Sequence, residues 1–60
     1  MKKFYFEYNP DEDVFDVLQD GGGQEHGQSY DTFEFSTPTE RDAKDAVDLL
    51  NKLYKKVQEK

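Results

Sequence analysis

The C-terminal stretch STPTERDAKDAVDLLNKLYKKVQEK, residues 36–60, constrains the fold more than any other part of the chain. Thr37 is placed to cap a helix, Pro38 falls at the first helical position, where its missing N–H costs nothing, and Glu40 completes a T-x-x-E capping box. Beyond the cap, Ala43, Ala46, Val47, Leu50, Leu53, Tyr54 and Val57 recur at three- and four-residue steps, giving one apolar stripe along about five turns. That stripe must be covered. A chain of 60 residues without cysteine has no disulfide or Cys-His zinc site to hold it together, and at this size only about 60% of the unfolded surface is buried on folding. The cover must therefore come from the residues that precede the helix, where eight of the nine aromatic side chains lie.

Those residues alternate in the manner of strands. In KFYFEY, Phe4, Phe6 and Tyr8 fall on one face and Lys3, Tyr5 and Glu7 on the other, which predicts a strand over residues 2–8. NPDED supplies a hairpin turn, with Pro10 fixing φ and Asn9 and Asp11 able to bond their own backbone. VFDVLQ, residues 14–19, reads as a second strand with Phe15 and Val17 on one face and Val14, Asp16 and Leu18 on the other. DGGGQEHGQ reads as a flexible loop crossing to a third strand, SYDTFEF, residues 29–35. There Phe33 and Phe35 share one side, and Tyr30, Thr32 and Glu34 the other. The simplest architecture is α+β: a single domain over residues 1–60, β-β-β-α, with a three-stranded antiparallel meander and the helix laid across one face. Phe4, Phe6, Phe15, Val17, Phe33 and Phe35 would meet the stripe.

Charge is distributed unevenly. The formal net charge is −6, and from Phe4 to Glu40 there are ten acids and no Lys or Arg. Along the helix the acids Glu40, Asp42, Asp45 and Asp48 come first and Lys52, Lys55, Lys56 and Lys60 last. This order suits the helix dipole and allows Glu40–Lys44 and Asp48–Lys52 pairs. The earlier acids have no such explanation. A two-layer fold leaves one sheet face open, and alternation puts Tyr5, Glu7, Val14, Asp16, Leu18, Tyr30, Thr32 and Glu34 on it. Side chains two apart on a strand lie about 6.7 Å from each other and adjacent strands about 4.8 Å apart. Glu7, Asp16 and Glu34 would then form a grid of anions, with Asp11, Glu12 and Asp13 along its rim. Like charges opposite one another destabilise a sheet, and surfaces normally mix signs, so a single-sign face points to a use. The expected partner-binding residues are Tyr5, Glu7, Asp11, Glu12, Asp13, Asp16, Asp20, Tyr30 and Glu34.

Other chemistry fits less well. Asn9, Asp11, Asp13 and Asp20 match positions 1, 3, 5 and 12 of an EF-hand count, but Val14 stands where that loop needs glycine and the flanks are strand-like. His26 is the sole histidine, in a glycine-rich loop, without the convergent partners that a general base or metal ligand requires. We expect no enzyme activity, cofactor or metal. Nor is a signal peptide or membrane span evident, and the acidic balance opposes direct binding to nucleic acid or an anionic membrane. These features suggest a cytoplasmic protein.

Two resemblances add expectations. TFEFSTPTERDAKDAVDLLNKLYKK, through Thr32, Phe33, Phe35, Thr37, Ala43, Val47, Leu49, Leu50, Asn51 and Leu53, resembles the last strand and helix of many short phage and mobile-element proteins. As a class the chain looks like the small acidic inhibitors that phages encode against host defences, the anti-CRISPR, anti-restriction and uracil-glycosylase inhibitor proteins. Several of these present carboxylates where DNA phosphates would lie. That resemblance implies a DNA-mimicking inhibitor acting in the bacterial cytoplasm, as a monomer or weak homodimer. Its partner would be a host nucleic-acid-binding protein with a basic groove, such as a CRISPR effector subunit. The second resemblance is to the strand-strand-strand-helix half of HicB-type antitoxins, although the LPGC-like segment of that family is replaced here by DGGGQEHGQ. The alternative expectation is therefore an antitoxin-like or generic protein–protein interaction module, with Tyr5, Val14, Leu18 and Tyr30 as an apolar patch for homodimerisation.

Overall fold

The amphipathic helix finds its cover in a three-stranded antiparallel sheet of order β1-β2-β3, the α+β arrangement that the alternation predicts. The structure is a computed structural model that describes residues 3–58. Its elements are β1 (Phe4–Asn9), β2 (Val14–Glu25), β3 (Gln28–Thr37) and α1 (Glu40–Gln58). The molecule is a slab of 35 × 29 × 15 Å, its short dimension set by one sheet and one helix.

The first hairpin follows the turn chemistry of its sequence. Asn9 Oδ1 accepts a hydrogen bond from the Asp11 amide at 3.0 Å, the Asx turn expected of NPD. Asp13 takes a positive φ of 55°, a conformation that short polar side chains tolerate better than most. Its carboxylate accepts a bond from the Tyr8 hydroxyl at 2.8 Å. The register then pairs Phe6 with Val17, Glu7 with Asp16 and Tyr8 with Phe15.

The glycine-rich segment is not a loop. β2 runs on through Gly21, Gly22 and Gly23 to Glu25, and β3 starts at Gln28, so the connection shrinks to His26 and Gly27. Both take positive φ, 51° and 80°, as in the two-residue turns whose twist matches that of the flanking strands. The glycines of β2 serve close approach: a Cβ at Gly23 would run into the Tyr30 ring, and one at Gly22 into the Thr32 hydroxyl.

A second departure changes which residues face which way. β3 pairs Phe35 with Val17 but Phe33 with the very next residue, Leu18, leaving Glu34 as an extra residue in a bulge. Partners across a ladder share a face, so the bulge splits the Phe33–Phe35 pair. Phe35 stays on the helix side with Val17, while Phe33 turns to the open face with Leu18 and is 60% exposed. The expected burial of Phe33 beneath the helix is thus corrected.

The helix starts later than its sequence suggests. Thr39, not Thr37, is the N-cap: its hydroxyl accepts from the Asp42 amide at 3.2 Å, and its carbonyl accepts the first intrahelical bond from Ala43 at 3.1 Å. Thr37 ends β3 and donates its hydroxyl to the Thr39 carbonyl at 3.0 Å. Pro38 accordingly precedes the cap. TPTER contains two threonines two residues apart, and strand β3 claims the first.

The interior is thin. Val17, Ala43 and Val47 are the buried apolar residues among those described, with Phe4, Phe6, Phe15 and Leu50 packed around them. Edge-to-face contacts join Phe4 to Tyr54 and Phe6 to Phe15, at centroid separations of 6.3 and 6.2 Å. Leu53 and Val57, placed on the covered stripe by periodicity, are instead 49% and 60% exposed. One polar contact docks the two layers. Asn51 on α1 accepts at Oδ1 from the Lys3 and Phe4 amides, at 3.0 and 2.7 Å, and donates from Nδ2 to the Phe4 carbonyl at 3.0 Å.

Candidate binding surface

The open face of the sheet is built from alternate residues of three strands. Tyr5 and Glu7 come from β1, Val14, Asp16 and Leu18 from β2, and Phe33 and Ser36 from β3, aligned by Tyr5–Leu18, Glu7–Asp16, Leu18–Phe33 and Asp16–Ser36 pairing. Asp31 joins them. Its Oδ2 accepts from the Tyr5 hydroxyl at 2.5 Å and its Oδ1 from the Gly21 amide at 3.0 Å. Nothing in simple alternation selects Asp31 or Phe33. The bulge at Glu34 turns Phe33 to this side, and Asp31 lies at a second register shift, between the Gln19–Thr32 and Gly23–Tyr30 pairs.

Of the expected partner-binding residues, Tyr5, Glu7 and Asp16 lie on the open face, and Asp11, Glu12 and Asp13 lie exposed in the hairpin turn at one end. Asp20 is exposed beside the glycine segment, its amide bonded to the Lys3 carbonyl at 2.7 Å. One expectation is corrected. Tyr30 and Thr32, which alternate with Asp31 and Phe33, belong to the opposite side, where the Tyr30 ring lies over Gly23. Glu34 sits exposed in the bulge, between the Val17–Phe35 and Leu18–Phe33 pairs and without a ladder partner of its own.

The carboxylates divide into two sets. Asp16 accepts from Ser36 Oγ at 2.7 Å and Asn9 Nδ2 at 3.4 Å, Asp31 holds Tyr5 and Gly21, and Asp13 holds Tyr8. These acids help to order the sheet. Glu7, Asp11 and Glu12 have carboxylates that take no hydrogen-bond partner among the described residues. No described carboxylate lies within 4.0 Å of a Lys or Arg nitrogen; the one ionic contact is between exposed His26 and Glu25 at 3.7 Å. The expected Glu40–Lys44 and Asp48–Lys52 pairs do not close to that distance either.

The Tyr5–Asp31 bond leaves an electrostatic signature. Holding the phenol as a donor to a carboxylate pushes the Tyr5 pKa up to about 12, with the charges of Asp31, Glu7 and Asp20 acting in the same direction. The same bond, seconded by the Gly21 amide, lowers the Asp31 pKa; Lys3 contributes least. A phenol whose pKa is raised on folding contributes stability that is complete below its unfolded value near 10 and is lost as pH rises through about 12. A lowered carboxyl contributes stability present above its ordinary value of 3.8 and lost as pH falls through the lower folded value. In an absorbance titration of the phenolates, the step near pH 12 should be the one that Tyr5→Phe removes. A wild-type titration in which every tyrosine ionises near pH 10 would show that this bond does not form.

Beyond this surface, no group of three or more His, Cys, Asp or Glu among the described residues is arranged to hold a metal ion. No described helix is long and apolar enough to cross a membrane. Compared with protein-family models, curated proteins and solved structures, the chain matches none.

Proposed function

We propose that this chain is a non-catalytic inhibitor of the phage anti-defence kind. It docks the open face of its sheet into the Lys/Arg-lined nucleic-acid groove of a host protein, such as a CRISPR effector subunit, in the bacterial cytoplasm. One observation carries the reading: the face and its hairpin rim display carboxylates that no Lys or Arg of the described chain approaches within 4.0 Å. Leaving such a field uncompensated costs stability, since Glu7 and Asp16 stand directly opposite each other on adjacent strands. A basic groove would relieve that repulsion.

The residues suit two stages of docking. At long range the anions steer encounter with a cationic groove and raise the association rate. At short range Tyr5, Leu18 and Phe33 supply apolar area at the centre of the face. A hydrophobic centre within a polar rim is the usual anatomy of a protein interface. Bound in this way, the domain occupies the space of a nucleic-acid backbone and excludes it, with no bond made or broken.

The test is competition. Guide-loaded CRISPR effectors are incubated with fluorescent target DNA and increasing amounts of this protein, and DNA binding is read by anisotropy. Displacement from at least one effector, without cleavage or modification of the DNA, is the expected result. Failure to displace DNA from any effector tried, with the protein shown to be folded, overturns the proposed target class.

A further inference from the structure

The two edges of the sheet differ in what covers them. On β1 the outward amide and carbonyl of Phe4 are both taken by Asn51, at 2.7 and 3.0 Å. On β3, the other edge, no comparable cover is present among the described residues. Bonded and non-bonded pairs alternate along an antiparallel ladder, and that alternation shows which β3 groups are free. Asp20 gives its amide to the Lys3 carbonyl at 2.7 Å, so the adjacent Gln19 turns its backbone toward β3, where its partner is Thr32. The extra residues of the register shift that follows lie on β2, so alternation along β3 is kept through the Gly23–Tyr30 pair. Ser29, Asp31 and Phe33 therefore direct their N–H and C=O groups away from the sheet. Edges are usually blunted by lysine, proline or a bulge. β3 contains no lysine or proline, and its bulge comes only after Phe33, at Glu34.

We propose that β3 accepts an extended, lysine- or arginine-bearing segment of a partner protein as a fourth, antiparallel strand, paired along residues 29–33. Charge complementarity selects this occupant over a second copy of the chain. The charged residues of β3 are Asp31 and Glu34, both exposed, so two β3 strands bring acids together in every register and supply no cation. Residues directly opposite in an antiparallel pair share a face. Side chains of the added strand that bond to Ser29, Asp31 and Phe33 would thus stand on the open face, where cations meet the Asp31 carboxylate. The intervening side chains would lie on the other face beside Tyr30, which is 49% exposed, and there apolar residues fit. The recognised segment accordingly alternates cationic and apolar residues. The proposal does not rest on the inhibitor reading, which concerns the face of the sheet and a groove; here the contact is the edge and a single strand.

The probe is a fluorescent peptide of about ten residues, a long strand, alternating lysine and valine, titrated with the full chain and read by anisotropy. It should bind with a dissociation constant on the order of 100 μM for so small a contact. A peptide alternating glutamate and valine should bind at least about tenfold more weakly. Methylating the peptide amides separates strand pairing from simple charge attraction. N-methylation of the lysines, whose amides face β3, should weaken binding at least about tenfold, whereas N-methylation of the valines, whose amides face solvent, should change it less than about threefold. In hydrogen exchange followed by NMR, the amides of Ser29, Asp31 and Phe33 should slow on binding, and those of Tyr30 and Thr32, already turned to β2, should change least. No binding up to about 1 mM, a weak-binding limit, overturns the proposal. So do equal binding of the two peptides, binding that survives methylation of the lysine amides, and protection that falls on β1 in place of β3.

Discussion

Replacing Asn51 with alanine is expected to destabilise the domain by about 3 kcal/mol, from three hydrogen bonds worth roughly 1 kcal/mol each. Asn51 Oδ1 serves the amides of Lys3 and Phe4, and Nδ2 serves the Phe4 carbonyl. β1 is an edge strand, so these backbone groups lie at the margin of the sheet. In the partly buried gap beneath α1, alanine would leave them without their side-chain partner and only partly reached by water. A 60-residue domain has a total stability of roughly 3–9 kcal/mol, so one substitution removes a large share. The shift in Tm should be on the order of 10–25 °C. Lys52→Ala, at the next and exposed position, should stay within about 0.5 kcal/mol of wild type. Asn51→Asp is informative, since it keeps the oxygen that accepts from both amides but sets a carboxylate against the Phe4 carbonyl, and should recover only part of the loss. Thermal denaturation followed by circular dichroism gives all three values at one fixed protein concentration. A loss below about 0.5 kcal/mol for Asn51→Ala would mean that apolar packing alone docks the helix.

Reversing three acids together, Glu7→Lys, Asp11→Lys and Glu12→Lys, is expected to weaken competition for a basic groove by about 10²–10³-fold while the fold survives. These three are chosen because their carboxylates have no hydrogen-bond or ionic partner within the described chain, whereas Asp13, Asp16 and Asp31 hold Tyr8, Ser36 and Tyr5. Setting a lysine against a cationic groove replaces attraction by repulsion at each site. Like-charge juxtaposition costs several kcal/mol in total, and each 1.4 kcal/mol is about tenfold in affinity. Stability should hold or rise slightly, since Glu7→Lys relieves repulsion with Asp16 on the adjacent strand. The anisotropy competition reads the binding, and a melting curve guards against unfolding. A variant that melts as wild type and still displaces DNA as well as wild type would remove the acids from the mechanism.

Much of the architecture is legible in the sequence because its signals are local. The alternation of KFYFEY and VFDVLQ, the NPD turn and the helical periodicity each arise within a few residues. What is hidden is non-local. The three glycines of β2 have no side chains to alternate, so a strand that continues through them reads as a loop; their role appears only once Tyr30 and Thr32 lie across them. The bulge at Glu34 reverses the facing of Phe33 without any mark in SYDTFEF, since a bulge is a property of two paired strands. Phe33 therefore enters the candidate surface, joined by Asp31 at the second register shift, and Tyr30 leaves it. The docking role of Asn51 is equally invisible, because an asparagine on a helix reads as a polar surface residue until a strand edge is laid beside it.

If, as proposed, the unneutralised anions on one face and rim of the sheet bind a cationic groove, salt must weaken the complex. The most direct test is the affinity of the wild-type protein for a displaced effector at about 50 mM and about 200 mM salt. Screening lengths at these ionic strengths fall from roughly 14 to 7 Å, comparable with the reach of the carboxylate grid, so affinity should drop by about tenfold or more, chiefly through slower association. An affinity unchanged across that range would show that these anions do not drive docking.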